Sequence, residues 1–204
     1  MTASRLVEWT LPDIVLSVTI AVLLLACRFT ILHRLRPSIV NSWRTMKPRK
    51  ASRVVLLNER DEVLLIRAQD LLTPTHQWWM TCGGGSELGE SAAQTAAREL
   101  AEETGIECEP GELIGPLATR DEVFEFTEKS LHQQETYFAF RTSEDIELED
   151  AVWTDIEKRS LLEFRWWSRE ELMTTTETIY PKNLLSLMDL VTAGSVPDVP
   201  LVID

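Results

Sequence analysis

Three carboxylates stand at helical spacing near the middle of the chain: Glu99, Glu102 and Glu103. Residues at i, i+3 and i+4 are neighbours on a helix surface, so these like charges repel by roughly a few tenths of a kcal/mol per pair. They also fall in the last turn, where the helix dipole disfavours anions. As a stability device the arrangement is poor, and a divalent cation reverses the sign of that argument. Magnesium takes oxygen ligands in octahedral geometry and keeps waters and substrate phosphates in its shell. Without a cation, the same residues read as a solvated acidic face. Just upstream lie Gly83, Gly84 and Gly85. Glycine lets backbone approach a ligand closely and adopt positive φ. Alone the three would be a plain turn; beside an acidic helix they suggest a loop that packs against a metal and a diphosphate.

The helix that positions the carboxylates has clear ends. Ser91 is a good N-cap and Gln94 completes a capping box. Gly105 stands where a left-handed cap would stop the helix. The expected span is Ala92 to Glu103 or Thr104. Ala93, Ala96, Ala97 and Leu100 form a narrow apolar stripe that lets the helix lie close to a sheet. Arg98 can reach Glu102 at i+4 and hold it in place.

Gly84, Glu90, Arg98-Glu99-Leu100, Glu102-Glu103 and Gly105-Ile106 fill nine fixed positions over twenty-three residues. That run resembles the Nudix box, the signature of hydrolases acting on a nucleoside diphosphate linked to another moiety. The resemblance implies Mg2+ as cofactor, with Mn2+ as the alternative. It implies metal ligation by Glu99, Glu102, Glu103 and the main-chain carbonyl of Gly83, with Gly84 and Gly85 against the diphosphate. Arg98 would be an orienting residue, Glu90 mostly structural, and Glu102 or Glu103 would double as base. Where the family usually has proline before the turn, this chain has Cys82. Many members recruit another acid from a loop before the closing strand. Here that loop holds Asp155, Glu157 and Glu163, with Glu157 the first choice and Glu163 the second; a mobile acidic loop without a catalytic part is the competing reading. For base stacking Trp78, Trp79, Trp153, Tyr137 and Phe138 are available, Trp153 foremost because polar residues flank it. Arg120 and Arg141 could contact phosphate or be ordinary surface charges.

Around the helix the sequence alternates short apolar strands with turns. Arg53 to Leu57 and Val63 to Arg67 read as a hairpin about Asn58-Glu59-Arg60-Asp61, and Trp78 to Thr81 as a third strand. Glu112 to Thr119, Val123 to Thr127, Glu135 to Arg141 and Phe164 to Trp167 read as further strands. Ser168 caps a short helix with Glu171 at its capping-box position, and Pro181 opens a final helix to about Val191. Strands around two main helices give a layered α/β or α+β domain. The resemblance narrows this to a Nudix-type α/β/α sandwich with a mixed β-sheet over residues 51–204, preceded by an N-terminal hydrophobic extension, residues 1–50.

Charge is divided unevenly between those parts. The first fifty residues hold eight Lys/Arg and two acids; the rest holds twelve Lys/Arg and thirty-one acids. An acidic body is a poor match for long nucleic acid, whose binding rests on phosphate neutralisation. A small nucleotide complexed with a cation suits it better, and a homodimer is compatible. Cys27, Cys82 and Cys108 form no CxxC pair, which argues for reduced thiols. His33, His76 and His132 lack zinc-ligand spacing.

Residues 14–32 are apolar apart from Arg28, near the lower limit of about 17 residues for a spanning helix. Three readings compete: a membrane anchor with the main body in the cytoplasm, by the basic cluster that follows; a non-native leader; and, last, a secretory signal. Residues 37–52 read as a linker. Two other function classes share features of this sequence. Isopentenyl diphosphate isomerase shares the fold but needs a catalytic cysteine and a His/Glu metal set with no counterpart in this chain. A nucleotide-sensing Nudix-like module often loses box carboxylates, all of which are present.

Overall fold

In the computed structural model, residues 47–127, 130–143 and 157–204 are described. The hydrophobic run at 14–32, Trp153 and Asp155 lie outside them. Among the described residues no helix is long and apolar enough to cross a membrane.

The elements run β1 (Arg49–Leu57), β2 (Val63–Gln69), β3 (Gln77–Met80), α1 (Ala92–Thr104), β4 (Ile114–Glu125), β5 (Ser130–Arg141), α2 (Glu157–Ser160), β6 (Leu161–Trp167), α3 (Arg169–Thr174), β7 (Ile179–Tyr180), α4 (Leu184–Thr192) and β8 (Leu201–Val202). The strands form one sheet in the order β7-β3-β2-β1-β5-β4-β8, with β6 on β2. It is mixed: β1–β5, β3–β7 and β4–β8 are parallel, the other pairs antiparallel.

Alternation along β1 sorts side chains to two faces. Val54 and Leu56 join Leu64, Ile66, Ala96, Ala97 and Leu100 under α1. Val55 and Leu57 join Leu65, Tyr137, Leu184, Leu187 and Val191 under α4. The sheet thus lies between two helical layers, the expected α/β/α sandwich. Leu100 and Leu187 are fully buried, each worth roughly 1.5–3 kcal/mol by area removed from water.

Several strands are longer than the sequence suggests. β1 begins at Arg49, inside the expected linker, because residues 49–57 pair continuously with Gln133–Arg141 of β5. The two expected strands at 112–127 are a single strand, β4: Asp121 and Glu122 interrupt the apolar pattern but not the ladder, where they face Gln134 and Gln133. The final helix starts at Leu184 rather than Pro181, after a turn in which Leu184 N–H donates to the Pro181 carbonyl at 3.1 Å. α1 and the Ser168 capping box match their expected positions.

One irregularity places the site. β1 and β2 are registered at Leu57 opposite Val63 and then diverge. β6 takes up β2, and the segment Cys82–Ser86 takes up β1 through Val54 N–H to the Cys82 carbonyl, Ser52 N–H to the Gly84 carbonyl (both 2.9 Å) and Ser86 N–H to the Lys50 carbonyl (3.0 Å). The glycine turn is therefore knitted to the sheet rather than free in solvent.

Candidate active site

α1 is built as its sequence dictates. The Ser91 hydroxyl accepts from Gln94 N–H at 3.3 Å, and the Gln94 side chain accepts from Ser91 N–H at 2.9 Å. Gly105 takes φ 76° and donates to the Ala101 carbonyl. Its buried face carries the alanine stripe and, unusually, two carboxylates: Glu99 is 8% exposed and Glu103 4%. Glu102 points outward, with about half of its side chain exposed.

Glu103 accepts the Gly83 N–H at 2.7 Å. Glu99 packs against Gly84 so closely that a Cβ there would lie 2.5 Å from its Oε2. Gly83 has φ 127°, and a Cβ on it would collide with the Ser52 carbonyl. The glycines at 83 and 84 are thus required, one by backbone shape and one by the carboxylate seated on it. Burial pushes the Glu99 carboxyl up from its ordinary range, an effect that Arg98 partly counters.

Arg98 spans the gap between loop and helix. It donates to Glu90 through Nε (2.7 Å) and Nη2 (3.1 Å), to Glu102 through Nη1 (2.7 Å) and to the Gly85 carbonyl through Nη2 (3.0 Å), and it pairs with Glu99 at 3.0 Å. Glu90 also accepts from Glu87 N–H and the Thr95 hydroxyl. Arg98 first, then these donors, hold the Glu90 carboxyl down to about 2. Arg98 and Glu90 thus tie the glycine loop to α1.

Beneath the turn is a cluster absent from the sequence reading. Arg53 on β1 donates to the Gly83 carbonyl at 2.6 Å and to Glu135 at 2.9 Å. Glu135, 2% exposed, also receives Gln133, the Tyr137 hydroxyl and Arg120. Burial pulls the Arg53 pKa down, but Glu135, Tyr137 and Glu103 together outweigh it and the group is raised. The signal available in the sequence was charge at 53 and 135 within otherwise apolar strands.

Other expectations change. Arg120 is no surface cation: it is 4% exposed, bonded to Glu135 and Glu122, and lies over the Phe124 and Tyr180 rings. Its Nη atoms are engaged by these carboxylates, its buried Nε has no hydrogen-bond partner among the described residues, and it lines the cavity beside α1. Glu163 is not on a loop: β6 begins at Leu161 and sets Glu163 opposite Arg67 of β2, which pairs with it at 3.2 Å. Arg141 pairs with Asp61. Trp79, Tyr137 and Phe138 are core residues, whereas Trp78 is half-buried against Phe126 and His76. Glu157 is the first residue of α2 rather than a loop position.

Among the described residues no three His, Cys, Asp or Glu side chains are arranged together to hold a metal ion. Glu99 and Glu102 are turned to Arg98, and Glu103 to Gly83. The donor set nevertheless fits a hard cation: two carboxylates buried on one helix face, a third one turn away, and a cradle at Gly84 that any Cβ would fill. A cavity of about 500 Å3 beside the start of α1 is lined by Lys50, Ser86, Glu90, Ser91 and Asp121 among others. It does not include the three carboxylates.

The α/β/α sandwich and the carboxylate helix seated on a glycine turn define a class of fold and site. A family profile for the NUDIX domain matches residues 47–188. The chain belongs to the Nudix family. It is 34% identical over 84 residues to a Mycobacterium tuberculosis protein named as the mutator protein MutT4. That match covers 38% of this chain and spans about a third of the relative's length (33%). Among solved structures, a MutT protein from Methanosarcina mazei Go1 has TM-score 0.50 at 24% identity, over 72% of this chain and 96% of that one. A MutT Nudix hydrolase from Burkholderia pseudomallei has TM-score 0.51 at 17% identity, over 72% and 99%. The dihydroneopterin triphosphate pyrophosphohydrolase of E. coli has TM-score 0.50 at 18% identity, over 74% and 100%. At these identities the structures speak to fold alone.

Proposed function

We propose that this chain is a Mg2+-dependent pyrophosphohydrolase that splits a nucleoside diphosphate linked to another moiety, with Mn2+ as an alternative ion. The observation that carries the reading is the seating of Glu99 and Glu103, buried on one side of α1, against the Gly83–Gly84 turn. Burying two carboxylates a helical turn apart is unfavourable unless a cation or donors compensate them. Glu99, Glu102, Glu103 and the Gly83 carbonyl would hold the ion. When bound, it supplies charge neutralisation on the diphosphate and a more acidic water. Arg98 holds Glu102 and the Gly85 carbonyl in register. Gly84 and Gly85 are the proposed diphosphate contacts, and the Arg49 guanidinium packs against Gly85. Glu102, the most exposed of the three, is the better placed to accept a proton from attacking water. Glu157 is the proposed additional acid and Trp153 the proposed stacking residue.

The substrate class comprises ADP-ribose, oxidised nucleoside triphosphates, dinucleoside polyphosphates and NADH. The mutator name of the Mycobacterium tuberculosis relative suits the oxidised nucleoside triphosphates in that list. Residues 14–32 would anchor the enzyme domain on the cytoplasmic side of a membrane.

Product analysis of the purified full chain against that panel tests the reading, with and without Mg2+. Turnover should require the metal, and Glu102→Gln should lower kcat by about 10²- to 10⁴-fold, the usual worth of a positioned proton acceptor. Absence of turnover on every diphosphate, with nucleotide still bound, would favour a sensing module.

A further inference from the structure

We infer that Arg53 is a positioning residue for the metal site: it fixes the Gly83 peptide on which the ligand carboxylates are seated, and Glu135 in turn fixes Arg53. The inference rests on the reading of Glu99, Glu102 and Glu103 as ligands. Gly83 is gripped from both sides. Its N–H is held by Glu103 at 2.7 Å and its carbonyl by Arg53 Nη1 at 2.6 Å. With both flanking peptides held, the place of Gly84 is set, and Gly84 is where the Glu99 carboxylate packs. The neighbours of Arg53 join in: Ser52 and Val54 N–H bind the Gly84 and Cys82 carbonyls. One tripeptide of β1 therefore holds the whole turn, by backbone at its ends and by side chain at its centre.

Stability alone does not account for this cluster. Two residues on, the same face of β1 carries Val55 and Leu57, both fully buried. An aliphatic residue at 53 would extend that core. Replacing a buried ion pair by well-packed apolar residues is often neutral or stabilising. Instead Glu135 receives donors from Arg53, Gln133, Tyr137 and Arg120, which lock its carboxylate and so lock the guanidinium fork. A carbonyl oxygen has two lone pairs. Arg53 takes one and aims the other, so the Gly83 oxygen, a ligand by family resemblance, is orientated before an ion arrives.

The test measures Mn2+ binding to the full chain by electron paramagnetic resonance, alongside hydrolysis. R53M keeps length and apolar character but removes the donors. Its Mn2+ Kd should rise about 10- to 100-fold, the usual effect of losing a partner that orients a ligand, and kcat should fall more than KM changes. R53K should recover part of the affinity, since it keeps the charge but not the fork. E135Q should give an intermediate rise. V191A, in the core under α4 that the Arg53 face of β1 joins, should lower Tm while leaving the Mn2+ Kd unchanged, separating positioning from general loosening. A Kd in R53M within twofold of wild type overturns the role of Arg53. If R53M does not fold, an unchanged Kd in E135Q overturns it instead. Wild-type protein that binds no Mn2+ overturns the metal reading and this inference together; wild-type protein that binds and hydrolyses beside an unaltered R53M overturns this inference alone.

Discussion

Arg98 makes five contacts from one planar group: two to Glu90, one each to Glu99 and Glu102, and one to the Gly85 carbonyl. Lysine offers no such fork. R98K should therefore lower kcat by about 10- to 100-fold while leaving the fold intact, because Glu102 and the loop lose their common tether; circular dichroism and steady-state kinetics on one preparation check both halves. The partner Glu90 gives a sharper readout. Its carboxyl titrates near 2 against an ordinary 4.5, held down first by Arg98. A folded pKa below the unfolded one contributes stability that is present above the unfolded value and lost as pH falls through the folded value. In R98Q the Glu90 carboxyl should titrate closer to 4.5, and acid unfolding should begin at higher pH. Carbon-detected NMR of the Glu90 carboxyl follows the first effect directly; titration still near 2 in R98Q would assign the shift to the Glu87 and Thr95 donors instead.

At the scale of the element, the glycine turn separates fold from site. Gly83 needs its φ of 127° and has no room beside Ser52, so G83A should unfold or strongly destabilise the chain. The three atoms nearest a Cβ at Gly84 all belong to the end of the Glu99 side chain, which can swing away. G84A should keep a Tm close to wild type and lose divalent-ion affinity, by thermal melts and metal titration; equal losses in both would merge the two roles. This turn also marks the limit of what the sequence discloses. Ser91, Gln94 and Gly105 are local signals with local partners, and α1 stands where they put it. The triple glycine stands shortly before α1 and Glu99 and Glu103 lie on it, so the meeting of these two carboxylates with the turn was legible too. Arg53 and Glu135 lie 82 positions apart, and only the parallel β1–β5 register brings them together. Glu163 was misplaced for the same reason: pairing with β2, not local propensity, makes it a strand residue.

Across the whole molecule, β3 and β7 stand at one end of the strand order and β4 near the other, yet Phe124 meets Tyr180 and Phe126 meets Trp78, with ring centroids 6.4 and 5.9 Å apart. The sheet curls until its ends touch. Right-handed strand twist supplies the tendency, and Asp70 supplies a fastening. It accepts Leu72 and Thr73 N–H from the β2–β3 loop and both the N–H and hydroxyl of Thr127, two residues past the end of β4. No spacing in the sequence joins residues 70 and 127, since the tie exists only once the sheet has curled. These bonds, the Thr127 N–H foremost, hold the Asp70 carboxyl down to about 2 against an ordinary 3.8. Because the folded value is the lower one, the fastening is fully present above pH 4 and is lost as pH falls through about 2. D70N removes the charge and turns one acceptor into a donor that faces the Thr127 N–H. Its Tm should be lower than wild type at pH 7, and the gap should close between pH 4 and pH 2 as wild-type Asp70 is protonated. Parallel melts of the two proteins across that range measure the difference, and a gap that stays constant with pH would show that Asp70 acts through shape and not through its charge.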